Sequence, residues 1–181
     1  MSQPAFTLAS LLTMCQETES SSDQVHQLVN SLIDEDLLYS LARSIQLLPF
    51  ESRKDVQSIF SHVIRYKPST SSSPYPPAVS YMINAKPEVL IELCKGYEQR
   101  ESAMPCGVIL REALRHEDVA VTILYNQSSK DGRMANIEDI DLNAQQSGEG
   151  VFWKFFDWVD RGAFEISTDA FTTFRVRSKR P

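Results

Sequence analysis

Apolar residues along this chain recur at helical spacing. From Val25 they run Val25, Leu28, Val29, Leu32 and Ile33, then Leu37, Leu41, Ile45 and Leu48, with the acidic triplet Asp34, Glu35 and Asp36 between the two sets. Steps of three and four residues keep one stripe of a helix on the same side, so two helices joined by a turn are expected. Pro49 ends the second, since proline lacks an amide and clashes with the preceding turn. Ser52 with Asp55 three residues on resembles a capping box. Val56, Ile59, Phe60, Val63 and Ile64 then form the cleanest apolar stripe of the chain.

Helical patterns continue with Val79 to Ile83, and with Val89, Leu90, Leu93 and Cys94, which Pro87 and Gly96 bracket. A central helix is expected over Ser102 to Glu117, with Ser102 as N-cap and Pro105 in the tolerant first turn. Ala103, Cys106, Gly107, Leu110, Ala113 and Leu114 form its buried stripe. Gly107 costs about 0.8–1 kcal/mol relative to alanine within a helix, and the compensation expected is close approach of a neighbouring backbone. Arg111, Glu112, Arg115, His116 and Glu117 occupy the other face, with Glu112 placed to pair with Arg115 and His116. That face is either solvated or turned to a partner.

Asp118 reads as the cap of Val119 to Leu124. Phe152, Phe155, Phe156 and Val159 then read as one face of an aromatic-rich helix, with both tryptophans off the stripe, and Ala163, Ile166, Ala170, Phe171 and Phe174 as the core side of a last helix. Sustained two-residue alternation is absent. The expectation is an all-α chain, a partial helical-repeat solenoid of armadillo/HEAT-like type.

Polar stretches set the boundaries. Residues 1–24 read as a polar leader, 25–174 as the helical repeats and 175–181 as a basic tail. Within the repeats, 67–77 holds four prolines and five serines or threonines and reads as an exposed loop. The loop 126–150 has five acidic and two basic residues with three glycines. There Asp139, Asp141 and Asn143 match the first oxygen positions of a calcium loop, but Ala144 and Gly150 break it. No metal site is expected.

The 181 residues are 42% hydrophobic with a net charge of −6, ordinary for one globular domain. An acidic body disfavours nucleic acid, whose binding draws on a surplus of Lys and Arg. The three cysteines, Cys15, Cys94 and Cys106, have no paired spacing, which points to a reduced, cytoplasmic setting. No apolar run approaches the roughly 18–20 residues of a membrane span. Phosphate-binding glycine motifs and G-x-S-x-G are absent, and His116-Glu117 lacks the second histidine of a zinc helix. No enzyme activity, cofactor or small-molecule substrate is expected.

Five blocks, DEDLLYSLA, LPFESRKDVQSIFSHVIR, KPEVLIELCKGYE, AMPCGVILREALRHE and FFDWVDRGAFEISTDAFTTF, closely resemble, in this order, the calcium-binding protein 39 or Mo-twenty-five scaffold family. DQVHQLV and SPYPPAVSY look like its filamentous-fungal branch. The resemblance implies an armadillo-like scaffold without catalytic activity, which grips a germinal-centre-type protein kinase or pseudokinase and holds it active in a polarity or morphogenesis pathway. It also implies that Phe164, in GAFEISTDAF, is an aromatic contacting that partner, with a core position as the other reading. Gly162 and Ala163 are small enough to let its ring project. Arg111 and Arg115 complete the expected partner-binding set.

Members of the family continue beyond this chain with further C-terminal repeats. The chain therefore reads as a truncated form lacking the repeats that, in the family, take the partner's C-terminal tail. With those repeats missing, the face bearing Phe171 and Phe174 is expected to be partly uncovered. The alternatives are a helical-repeat nucleic-acid module and a truncated, non-functional isoform.

Overall fold

The computed structural model describes residues 22–69, 71–125, 148, 150–161 and 163–175. The described elements are helical: α1 (Ser22–Asp34), α2 (Leu37–Ser44), α3 (Phe50–Arg65), α4 (Pro77–Ser80), α5 (Glu88–Lys95), α6 (Arg100–Ala113), α7 (Glu117–Leu124), α8 (Lys154–Arg161) and α9 (Phe164–Arg175). Short 3-10 turns follow α2 and α5, and a π-helical turn, Tyr81–Ala85, follows α4. The fold is all-α and armadillo-like. The first described helix begins at Ser22, inside the stretch read as leader, and residues 1–21 lie outside the described residues.

α1 and α2 are joined at Asp36, whose φ of 51° is left-handed. Aspartate tolerates that region better than most residues. Its carboxylate accepts hydrogen bonds from Tyr81 (2.5 Å) and Lys86 (3.3 Å), which tie the turn to the body. The stripe of α3 is buried as its spacing predicts, with Val56, Ile59, Phe60, Val63 and Ile64 all at most 1% exposed.

Three helix starts differ from the sequence reading. α3 begins at Phe50 after Pro49, with no side-chain cap, so Ser52 lies inside it. α6 begins at Arg100 after an extended Gln99. Ser102 is buried, and its hydroxyl donates to the Gly96 carbonyl at 2.8 Å, leaving no cap to form. Asp118 is the second residue of α7, after His116. Its carboxylate accepts the hydroxyl of Tyr75 (2.5 Å), and that hydrogen bond pushes the phenol up to about 12. The loop containing Tyr75 is therefore pinned rather than simply exposed, with Pro68 and Pro76 buried.

Pro105 stands well inside α6 rather than in its first turn. A proline there leaves the carbonyl four residues earlier without its amide partner. That carbonyl belongs to Glu101, and Arg53 of α3 donates to it at 2.9 Å. Twelve residues on, Arg65 pairs bidentately with Glu112, at 2.7 and 3.1 Å. Two links in the same order along both helices show that α3 and α6 run parallel. α6 in turn packs on α9, α2 on α5, and α8 on α9, so α3, α6 and α9 form one row of a helical-repeat stack.

Cys94 and Cys106 are buried and free, and burial pushes the Cys106 thiol up to about 12. Cys15 and the calcium-like residues Asp139 to Ala144 lie outside the described residues, as does the tail beyond Arg175. No described helix is long and apolar enough to cross a membrane.

Candidate partner-binding face

α9 is amphipathic in an unusual way. Its buried residues are Asp169, Ala170 and Thr173, two of them polar, and they are buried because they have partners. Arg111 Nη1 donates to Asp169 Oδ1 and to Thr173 Oγ1, both at 2.8 Å. Tyr97 donates to Asp169 Oδ2 at 2.5 Å, and its oxygen lies 2.8 Å from Thr173 Oγ1, which is left to donate to it. Each of the four side chains finds a hydrogen-bond partner within the circuit, as a buried polar cluster requires. Burial and the adjacent carboxylate raise the Tyr97 hydroxyl well above the ordinary phenol value.

The cluster needs Gly107. A methyl group at that position would overlap Asp169 Oδ2 and the Tyr97 hydroxyl. The glycine is thus compensated by close approach of side chains, not of the neighbouring backbone that the sequence suggested. Above the cluster, Trp158 stacks on the Tyr97 ring at 5.5 Å and meets Phe155 edge-on at 4.9 Å. The tryptophan read as off the stripe is therefore a packing residue, and Phe156, read as on it, is 51% exposed.

Clamping this side of α9 turns the opposite side outward. Phe164 lies five residues before Asp169, about 140° away around a 3.6-residue helix, and it is 85% exposed. Phe171 and Phe174, read as the core side of the last helix on a face left partly uncovered, are indeed 47% and 37% exposed, and the fully inward positions of α9 go to the polar cluster instead. Ala163 is exposed, and Gly162 lies outside the described residues. Glu165, next to Phe164, pairs with Arg100 at the start of α6 (3.4 Å).

The structure does not gather the three expected partner residues at one spot. Arg111 is committed to the α6–α9 clamp, its side chain only 22% exposed. Arg115 is 65% exposed and pairs with Glu112 at 3.2 Å, at the opposite end of α6 from Arg100. Phe164 alone of the three stands out from the surface beside the start of α6. Among the described residues, no group of three His, Cys, Asp or Glu could hold a metal.

The Mo25-like family model matches residues 5–177. The chain belongs to the Mo25-like family. It is 55% identical over 160 residues to the conidiophore development protein hymA of Emericella nidulans, covering 88% of this chain and 42% of that protein. It is 35% identical to calcium-binding protein 39-like of Homo sapiens (88% of this chain, 39% of that protein). It is 32% identical to the Mo25-like protein of Schizosaccharomyces pombe (88% and 40%). The chain spans about two fifths of the length of these Mo25-like relatives.

Proposed function

We propose that this Mo25-like chain is a non-catalytic, cytoplasmic scaffold that binds and activates a germinal-centre-type (STE20-like) protein kinase or pseudokinase in a polarity or morphogenesis pathway. The observation that carries the reading is Phe164. An aromatic 85% exposed at the start of a helix clamped by a buried polar circuit is a rigid anchor, the kind of residue that dominates protein interfaces. Membership in the Mo25-like family and the conidiophore development named for the fungal relative point the same way. Arg115 contributes a charge that the partner meets elsewhere on the surface.

Phe164→Ala is expected to weaken binding to the kinase domain at least tenfold, about 1.4 kcal/mol, while moving the thermal midpoint little. Calorimetric titration and a thermal melt of the same sample read both. Unchanged affinity, or a variant that melts far earlier, would place Phe164 outside the interface and overturn the reading.

A further inference from the structure

Beside Phe164, the starts of α3 and α6 enclose an open groove of about 630 Å³. Its floor is apolar, with Phe50 65% and Met104 49% exposed and Pro105 and Val108 beside them. Its rim is cationic. Arg53, Lys54 and Arg100 line it against one acid, Glu101, an excess of two positive charges on a chain whose net charge is −6. Glu51 lies 3.3 Å from Lys54 and Glu165 lies 3.4 Å from Arg100. Both pairs are exposed, and such pairs are held weakly, so the two cations are available to a ligand.

Arg53 marks the groove most clearly. Its Nη1 is fixed on the Glu101 carbonyl that Pro105 leaves unclaimed. Its Nε is enclosed and has no acceptor among the described residues. A carboxylate is the acceptor that best suits a guanidinium, and Arg53 and Arg100 both line the groove. An apolar floor next to a cationic rim asks for a ligand with both characters. Phosphate groups would gain nothing from Met104 and Phe50.

We propose that this groove takes a helical segment of the protein partner, one that sets a large apolar side chain against Phe50 and Met104 and acidic residues against Arg53, Lys54 and Arg100. Amphipathic helices commonly dock this way, with apolar anchors in the groove, and charge complementarity at the rim selects among them. The inference rests on the scaffold reading above and specifies the partner segment.

The test uses two synthetic amphipathic helical peptides of equal length and leucine content, one with glutamate on its polar face and one with lysine. Both are titrated into the full chain by fluorescence anisotropy, beside a single-stranded oligonucleotide. Saturable binding of the glutamate peptide alone is expected. Lys54→Glu should weaken it at least tenfold and Met104→Ser several-fold, both side chains being exposed enough to spare the fold. Arg53→Lys keeps the charge but loses the planar fork that suits a carboxylate, and should weaken it as well. Equal binding of both peptides, binding of the oligonucleotide instead, or glutamate-peptide binding indifferent to all three substitutions would overturn the proposal. So would self-association through this face, seen as a sedimenting dimer that Met104→Ser dissociates. Kinase-domain binding measured in parallel separates the two readings. Loss with Phe164→Ala but not with Met104→Ser or Lys54→Glu overturns only the groove, whereas no loss with Phe164→Ala overturns the scaffold reading and leaves the peptide result to judge the groove.

Discussion

The two seams of the α3–α6–α9 row are built in opposite ways. Between α3 and α6 the middle is apolar and the polar links sit toward the ends, Arg53 on the Glu101 carbonyl and Arg65 on Glu112. Between α6 and α9 the middle is polar, with Arg111, Tyr97, Asp169 and Thr173 meeting over Gly107. Apolar residues lie at its margin, where Leu110, Phe155 and Phe174 line a small cavity of about 70 Å³. An apolar seam fixes which face of a helix is inward, but tolerates rotation by a few degrees at little cost. A hydrogen-bond circuit does not, because its donors are directional. In this molecule the directional seam is the one that aims Phe164.

The comparison can be broken first at the apolar seam. Phe60 is fully buried in α3, so Phe60→Ala should cost about 3–5 kcal/mol in denaturant unfolding. A loss under about 1 kcal/mol would mean that this seam does not carry the core.

Next comes its polar end. Glu112→Gln removes a charge-assisted pair of hydrogen bonds with Arg65 and should cost about 1.5–3 kcal/mol. The Arg65 bond, with Arg115 nearby, holds the Glu112 carboxyl below its ordinary value of 4.5. Such a group stabilises the fold fully above its unfolded pKa, and the contribution disappears as pH falls through the lower, folded value. Melts taken from neutral pH to below 4 should therefore show an acid loss that is smaller in Glu112→Gln. Equal acid sensitivity in the two proteins would assign it to other carboxylates.

At the polar seam, Gly107→Ala sets an overpacking cost of about 1–3 kcal/mol against a helix-propensity gain of about 1 kcal/mol, for a net loss of about 1 kcal/mol. Combining it with Asp169→Ala makes room for the methyl group, so the two losses should add to less than their sum. Strict additivity would show that the carboxylate is not what Gly107 accommodates. The smallest effect is expected at Phe171, exposed at 47%. Phe171→Ser should change stability by no more than about 0.5 kcal/mol, where a core phenylalanine would cost several.

The helical class, the stripe of α3 and the family were legible in the residues alone. Burial of a regular apolar stripe depends only on spacing within one helix, and long matched blocks identify a family without any geometry. The resemblance singled out Phe164, which the structure leaves exposed, whereas Ala163, read on the core side of that helix, is exposed as well. The clamp behind Phe164 was not legible. Asp169 lies 72 residues from Tyr97 and 58 from Arg111, so nothing local marks it as an inward residue, and a stripe reading gives its place to Phe171 and Phe174. The helix starts shifted for the same reason, since Ser102 and Asp118 have cap chemistry but spend it on Gly96 and Tyr75. The groove at Phe50 and Met104 also exists only where two helix starts meet. Sequence alone determined what each helix can bury, because that follows from its own periodicity. Only the tertiary structure decided which polar groups are buried with it, because a polar group goes inside only where a distant partner is waiting for it.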